Sequence, residues 1–154
     1  MTDTTAKKRI LIVDDEPAIL FALRMLFKRQ PLIIDECDTL EKALTMIDAG
    51  SYAAVIADLR LTGEGSEEGL AILRHIREKK TATRVVIMTG NGNAEVQQEV
   101  RNLGAAIYLE KPVGVDILFN VLEQLGVVRT DETPAAGGVN RTPSPAAPAL
   151  RLHS

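Results

Sequence analysis

A doubly wound α/β domain is the fold this sequence predicts, and three observations predict it. Short apolar runs alternate with amphipathic stretches five times along the chain. Several of the runs are almost continuously apolar, as strands buried on both faces are. The stretches between them carry helical period, and strict strand–helix alternation calls for right-handed crossovers and a parallel sheet covered on both sides.

The candidate strands are Arg9–Val13, Leu32–Glu36, Ala53–Ala57, Arg84–Met88 and Ala106–Leu109, each short, rich in Ile, Val and Ala, and bounded by polar residues or Gly. The second turns acidic at Asp35 and Glu36, which suits a sheet edge. The first helix follows Pro17, with Ile19, Leu23, Leu26 and Phe27 on one face. Leu40, Ala43, Leu44 and Ile47 share a face in the second, followed by Gly50. Leu70, Leu73 and Ile76 mark the third, Val96, Val100 and Leu103 the fourth, and Leu118, Val121, Leu122 and Leu125 the fifth. Gly104 and Gly126 stand where helix C-terminal caps belong.

The 154 residues, 45% hydrophobic and 25% charged, suffice for one well-filled core and not for two ordinary domains. Aromatics are only 3%, so aliphatic side chains must fill that core. The domain is expected over 8–126, after an N-terminal extension of residues 1–7. Residues 127–154 carry four of the seven prolines and no periodic apolar face, the composition of a disordered Pro/Ala-rich tail or linker. The net charge of −3 comes without a basic patch, so no direct nucleic-acid binding is expected. No apolar run is long enough to span a bilayer, no signal peptide opens the chain, and Cys37 is the only cysteine; a cytoplasmic location without membrane attachment is expected.

Ligands of an open parallel sheet bind at the carboxyl ends of its strands. The residues following the candidate strands are Asp14 and Asp15, then Asp58, Thr89, and Glu110 with Lys111. Like charges packed this closely repel, and burial raises the cost, unless a cation neutralises them. A hard divalent ion that keeps several waters, Mg²⁺, suits the set. A carboxylate beside such an ion can act as nucleophile and accept a phosphoryl group, while a lysine and a hydroxyl meet the phosphoryl oxygens. Blander readings exist for each residue. Asp15 and Glu16 before Pro17 suit helix capping, although capping needs only one of them and does not need Asp14. Thr89 before "GNG" suits a turn, with Asn93 capping the next helix. Tyr108 suits a half-buried strand, Cys37 a small inert residue, and His75 and His153 solvated positions.

The segments "LIVDDE", "VIADLRL", "VIMTGNG" and "IYLEKP" together resemble the receiver domain of two-component response regulators, over about residues 8–125. The resemblance implies a flavodoxin-like sheet of order 2-1-3-4-5 with five helices, and Asp58 as phosphoacceptor. It implies Mg²⁺ held by Asp15, Asp58 and the backbone carbonyl of Arg60, with Asp14 acting through water. Lys111 would pair with the phosphoryl group and precede a cis peptide to Pro112, and Thr89 and Tyr108 would form a switch pair. The implied partners are a histidine kinase or phosphotransfer protein and a downstream protein target met through the helix 4–strand 5–helix 5 face. The chain would then be no enzyme beyond its own phosphorylation and dephosphorylation.

The loop after Asp58, "LRLTGEGSEEGL", departs from the family form: it lacks a usual proline, is about three residues longer, and adds Glu64, Glu67 and Glu68. By the same resemblance, Arg60 and Asn91 would flank the phosphoryl position. The other functions consistent with the sequence are a phosphate-independent receiver-like adaptor and the receiver fragment of a longer transcriptional regulator. A hydrolase with an aspartyl-phosphate intermediate usually needs an acid two residues past the nucleophile, where Arg60 stands. A flavin carrier lacks its phosphate-binding glycine loop after the first strand.

Overall fold

The computed structural model describes residues 7–61, 67–90, 92–105 and 107–128. Five strands, β1 (Lys8–Val13), β2 (Leu32–Cys37), β3 (Ala54–Asp58), β4 (Arg84–Thr89) and β5 (Ile107–Glu110), alternate with five helices. These are α1 (Pro17–Leu26), α2 (Leu40–Ala49), α3 (Glu68–Lys79), α4 (Ala94–Asn102) and α5 (Val115–Gln124). The strands form one parallel sheet in the order β2-β1-β3-β4-β5. The predicted doubly wound sheet is therefore the one observed.

Period-two alternation divides the core. Leu11, Val13, Val55, Ala57, Val85 and Ile87 face α2, α3 and α4, against Ala43, Ile47, Leu70, Leu73, Ile76, Val96 and Val100. Ile10, Ile12, Ala54, Ile56, Val86 and Met88 face α1 and α5, against Leu23, Phe27, Leu118, Val121 and Leu122. The central β3 is buried at every residue, so cutting Ile56 back to alanine leaves a cavity worth about 2–5 kcal/mol. Packing runs two residues beyond Gly126, because Val127 and Val128 are buried in the α1–α5 half of the core.

Helix ends follow local chemistry. Thr39 Oγ1 accepts the Lys42 N–H at 3.2 Å, and Asn93 Oδ1 accepts the Val96 N–H at 2.8 Å, as expected of Asn93. Gly104 and Gly126 take φ of +93° and +81°, the left-handed conformation a C-terminal cap uses. Pro17 opens α1, but neither Asp15 nor Glu16 caps it through a side chain. The Glu16 N–H is instead accepted by Asp14 Oδ1 at 3.0 Å, which turns the chain at the strand end and holds the Asp14 carboxylate inward. At the sheet edge, the acids of β2 are matched to bases: Asp35 to Arg9 at 3.1 Å, and Glu36 to Arg24 through two bonds of 2.8 Å.

Strand ends differ from the sequence expectation by one residue. Asp58, Thr89 and Glu110 are the last residues of β3, β4 and β5 rather than the first residues beyond them. The parallel ladder continues through Asp58 opposite Met88 and Thr89 opposite Glu110, so the partner strand decides where each strand stops.

Candidate functional site

That one-residue extension draws Asp58 and Thr89 into the sheet, while Asp14 is enclosed just beyond β1. Asp14 is fully enclosed at 0% exposure, Thr89 is 1% exposed and Asp58 7%, while Asp15 stays at the surface. Carboxylate oxygens of Asp14, Asp15 and Asp58 lie within 4.8 Å of one another, a cluster that could hold a metal ion. Asp14 leaves β1, Asp58 ends the neighbouring β3, and Lys111 follows β5. The strand order brings all three to one edge.

Lys111 fills the centre. Its ammonium donates to Asp14 Oδ2 at 3.0 Å, Asp58 Oδ2 at 3.1 Å and Glu16 Oε1 at 3.3 Å, so its three N–H donors have three carboxylate partners. The Lys111 N–H donates to the Thr89 carbonyl at 2.7 Å, and the Lys111–Pro112 peptide is cis. Asp58 Oδ1 accepts the Arg60 N–H at 3.2 Å, and the Leu59 N–H reaches the Met88 carbonyl at 2.7 Å, which together fix the carboxylate at the strand end.

The electrostatics of the two buried partners run in complementary directions. Burial raises the Asp14 carboxyl above the usual carboxylate range, outweighing the Glu16 N–H and the Lys111 ammonium that favour its charge. Burial would lower the Lys111 ammonium, but bonds and charge from Asp14, then Asp58, outweigh it and hold the group above its ordinary value. A carboxylate that is costly to ionise beside two others is stabilised by additional positive charge, so the donor set fits a hard cation bound by oxygen.

Sequence reasoning did not anticipate the contacts of four residues. Glu16, considered only as a cap, is a Lys111 partner. Glu68 begins α3 and its Oε1 accepts the Leu61 N–H at 2.8 Å, tying the start of α3 to the residues that follow β3. Gly69 donates its N–H to the Leu59 carbonyl at 2.9 Å, and a β-carbon there would stand 2.7 Å from Leu59 Cα and 2.9 Å from the Asp58 carbonyl. A glycine inside the first turn of a helix, disfavoured by about 1 kcal/mol, was the available signal for that close approach. Gly92 is the fourth. A β-carbon on it would overlap Tyr108 Oη and stand 2.9 Å from Thr89 Cγ2.

Tyr108 is half-buried against the α2–α4 side of the core, and its enclosed Oη has no hydrogen-bond partner among the described residues. An unmatched buried hydroxyl costs about 1–3 kcal/mol, which partly cancels the gain from burying the ring. Burial also raises the phenol above its ordinary value, and Glu110 adds to this. Glu64 and Asn91 lie outside the described residues, as do Ala106, His153 and the tail from residue 129. Cys37 is buried at the end of β2, where burial pushes its thiol up to about 11. His75 is not simply solvated, since Nε2 meets Asp48 Oδ1 at 2.7 Å.

A 2-1-3-4-5 parallel sheet with an acid cluster and a lysine at its carboxyl edge defines the receiver class of signalling domains. The family model described as response regulator receiver domain matches residues 10–123, and the chain belongs to that family. It is 33% identical over 110 residues to the transcriptional regulatory protein ResD of Bacillus subtilis, covering 71% of this chain and 44% of that protein. It is 28% identical over 119 residues to the transcriptional regulatory protein FixJ of Bradyrhizobium diazoefficiens, covering 77% and 57%. The chain thus spans about half the length of the curated relatives it matches. Among solved structures, the signal receiver domain of a putative LuxO repressor protein from Vibrio parahaemolyticus superposes with a TM-score of 0.69 at 25% identity, covering 79% of this chain and 95% of that one. A CheY-like receiver domain protein from Methanospirillum hungatei gives 0.69 at 26%, with the same coverage. The chain is therefore a receiver domain of two-component response regulators. No described helix is long and apolar enough to cross a membrane.

Proposed function

We propose that Asp58 is the phosphoacceptor and that the domain takes its phosphoryl group from the phosphohistidine of a histidine kinase or phosphotransfer protein. The observation that carries this is the Lys111 ammonium within 3.1 Å of both Asp14 and Asp58, beside the exposed Asp15. An Asp58 carboxylate oxygen attacks phosphorus, an O–P bond forms, the N–P bond breaks, and the imidazole leaves with the electron pair and takes up a proton. Lys111 then exchanges a carboxylate contact for the new phosphoryl oxygens, and the Thr89 hydroxyl offers them a hydrogen bond. Asp14, Asp15, Asp58 and the Arg60 carbonyl are the proposed holders of Mg²⁺, which when bound supplies countercharge to the phosphoryl oxygens.

Phosphorylation then acts on a two-state equilibrium, through Thr89 and Tyr108, to change the α4–β5–α5 face that a protein target meets. The setting is the cytoplasm, and the domain catalyses nothing beyond its own modification and its reversal. A second reading concerns the whole protein: the relatives named above are transcriptional regulators matched over about half their length, which supports this chain as the receiver portion of a longer regulator.

Incubation with acetyl phosphate and Mg²⁺, followed by intact mass measurement, tests the site. The wild type is expected to gain one phosphoryl group, absent with EDTA and absent from Asp58→Asn. An adduct on Asp58→Asn sinks the assignment, and no adduct on a metal-binding wild type favours the phosphate-independent adaptor.

A further inference from the structure

We infer that Gly92 is the positioning residue that seats Tyr108 inward, because it leaves empty the volume that the tyrosine hydroxyl occupies. Tyr108 stands opposite Ile87 in the β4–β5 ladder and packs its ring toward the loop that follows Thr89. A β-carbon at 92 would overlap Tyr108 Oη, approach Tyr108 Cζ to 3.0 Å and reach Thr89 Cγ2 at 2.9 Å. One position therefore touches both Thr89 and Tyr108. The φ of Gly92 lies outside the left-handed region, so an L-residue could adopt its backbone; what it could not find is space. Gly90, two residues earlier in the same loop, has nothing within 4 Å of where its β-carbon would be. Glycine at 90 meets no steric demand, and glycine at 92 does.

The consequence is specific. Any side chain at 92 drives the Tyr108 ring out of its seat toward solvent, and the size of residue 92 sets the resting balance between the two ring positions. With glycine, the ring sits inward before any phosphoryl group is present. The signalling consequence, a resting bias of the α4–β5–α5 face, rests on the proposed switch role of Thr89 and Tyr108; the steric seat itself does not.

Two tyrosines make the test direct, since the full chain labelled with 3-fluorotyrosine gives one fluorine resonance for Tyr108 and one for Tyr52 as an internal reference. A soluble gadolinium relaxation agent reports exposure. Tyr108 is expected to be protected in the wild type and in Gly90→Ala, and exposed in Gly92→Ala, with Tyr52 unchanged in all three. Protection of Tyr108 in Gly92→Ala, or equal exposure in Gly90→Ala, overturns the inference. Thermal unfolding covers the case in which Gly92→Ala folds poorly. Phe at 108 removes the overlapping oxygen, so Gly92→Ala is expected to lower the melting temperature much less in a Tyr108→Phe background, and an equal loss in both backgrounds overturns the inference. Beryllofluoride binding with Mg²⁺ separates the two readings. Coupling between ring and site is expected to weaken it in Gly92→Ala by about fivefold or more. Unchanged affinity with an exposed ring keeps Gly92 as the seat and removes the switch role.

Discussion

The two ends of the parallel strands treat polar groups in opposite ways. Toward the amino ends polar groups are matched in small closed sets: Lys8 Nζ donates to the Gly126 carbonyl at 2.6 Å, Thr83 Oγ1 to the Tyr52 carbonyl at 2.7 Å, and Tyr52 Oη to Asp35 at 2.7 Å, where the Arg9 guanidinium balances the carboxylate. At the carboxyl ends three aspartates crowd within 4.8 Å, with one ammonium shared between two of them and Glu16. The first arrangement closes the fold and asks for nothing more. The second holds more negative charge than its lysine balances, and it gains from any cation or transferable group that redistributes that charge. Chemistry is expected where matching is incomplete.

Removing the shared ammonium breaks this contrast most severely. Lys111→Met is expected to slow phosphoryl uptake from acetyl phosphate by about 10²–10³-fold, the usual loss when one charge-stabilising donor is removed. It should also cost about 3–5 kcal/mol in urea unfolding, because Asp14 and Asp58 are left buried without their cation. Added Mg²⁺ should recover part of that stability, and a variant as stable as wild type without Mg²⁺ would overturn the account. For the wild type, Mg²⁺ at a hundredfold above its Kd should raise unfolding stability by about 2.7 kcal/mol, lost on chelation. Asp15→Asn should shrink that gain at a fixed Mg²⁺ concentration, and an unchanged gain would place the ion elsewhere.

The amino end sharpens the comparison from the other side. Tyr52→Phe removes one matched hydrogen bond and should cost about 1 kcal/mol, with phosphoryl uptake unchanged. Burial, then the bond to Asp35, pushes the Tyr52 phenol up from 10.0 to about 12. The folded state therefore keeps a proton that the unfolded chain loses. That contribution is complete below pH 10 and disappears as pH rises toward 12, so unfolding curves across this window should fall less steeply for Tyr52→Phe. Equal alkaline slopes would exclude Tyr52 as their source. The smallest effect belongs to the sheet edge: Arg24→Ala breaks an exposed pair with Glu36 and should cost about 0.5 kcal/mol, less at high salt.

The legible parts of the molecule were those carried by neighbouring residues. Continuous apolar runs marked β1, β3 and β4, and three- and four-residue spacing marked the helix faces, because each pattern is a direct image of which side chains a strand or helix turns inward. Asn93 and the glycines at 104 and 126 were legible because caps act over a single turn. The Asp14–Asp15 pair was legible because adjacent carboxylates are costly anywhere. The contacts of Glu16 and Glu68 were not legible for the opposite reason: one bonds a residue 95 positions away, the other a backbone N–H seven positions back across a loop.

The sequence by itself thus determined the elements, their buried faces and the residue types gathered at the strand ends, since hydrophobic period and cap chemistry are local properties of the chain. Only the tertiary structure decided that Lys111 lies 3.0 Å from Asp14 across 97 residues, that Asp58 and Thr89 belong to their strands, that a β-carbon on Gly69 would meet the backbone of Asp58 and Leu59, and that one on Gly92 would meet the Tyr108 hydroxyl. Those facts depend on which strands are neighbours and how closely a loop approaches a ring. Such distances are settled by packing between segments far apart in the chain, and no local pattern records them.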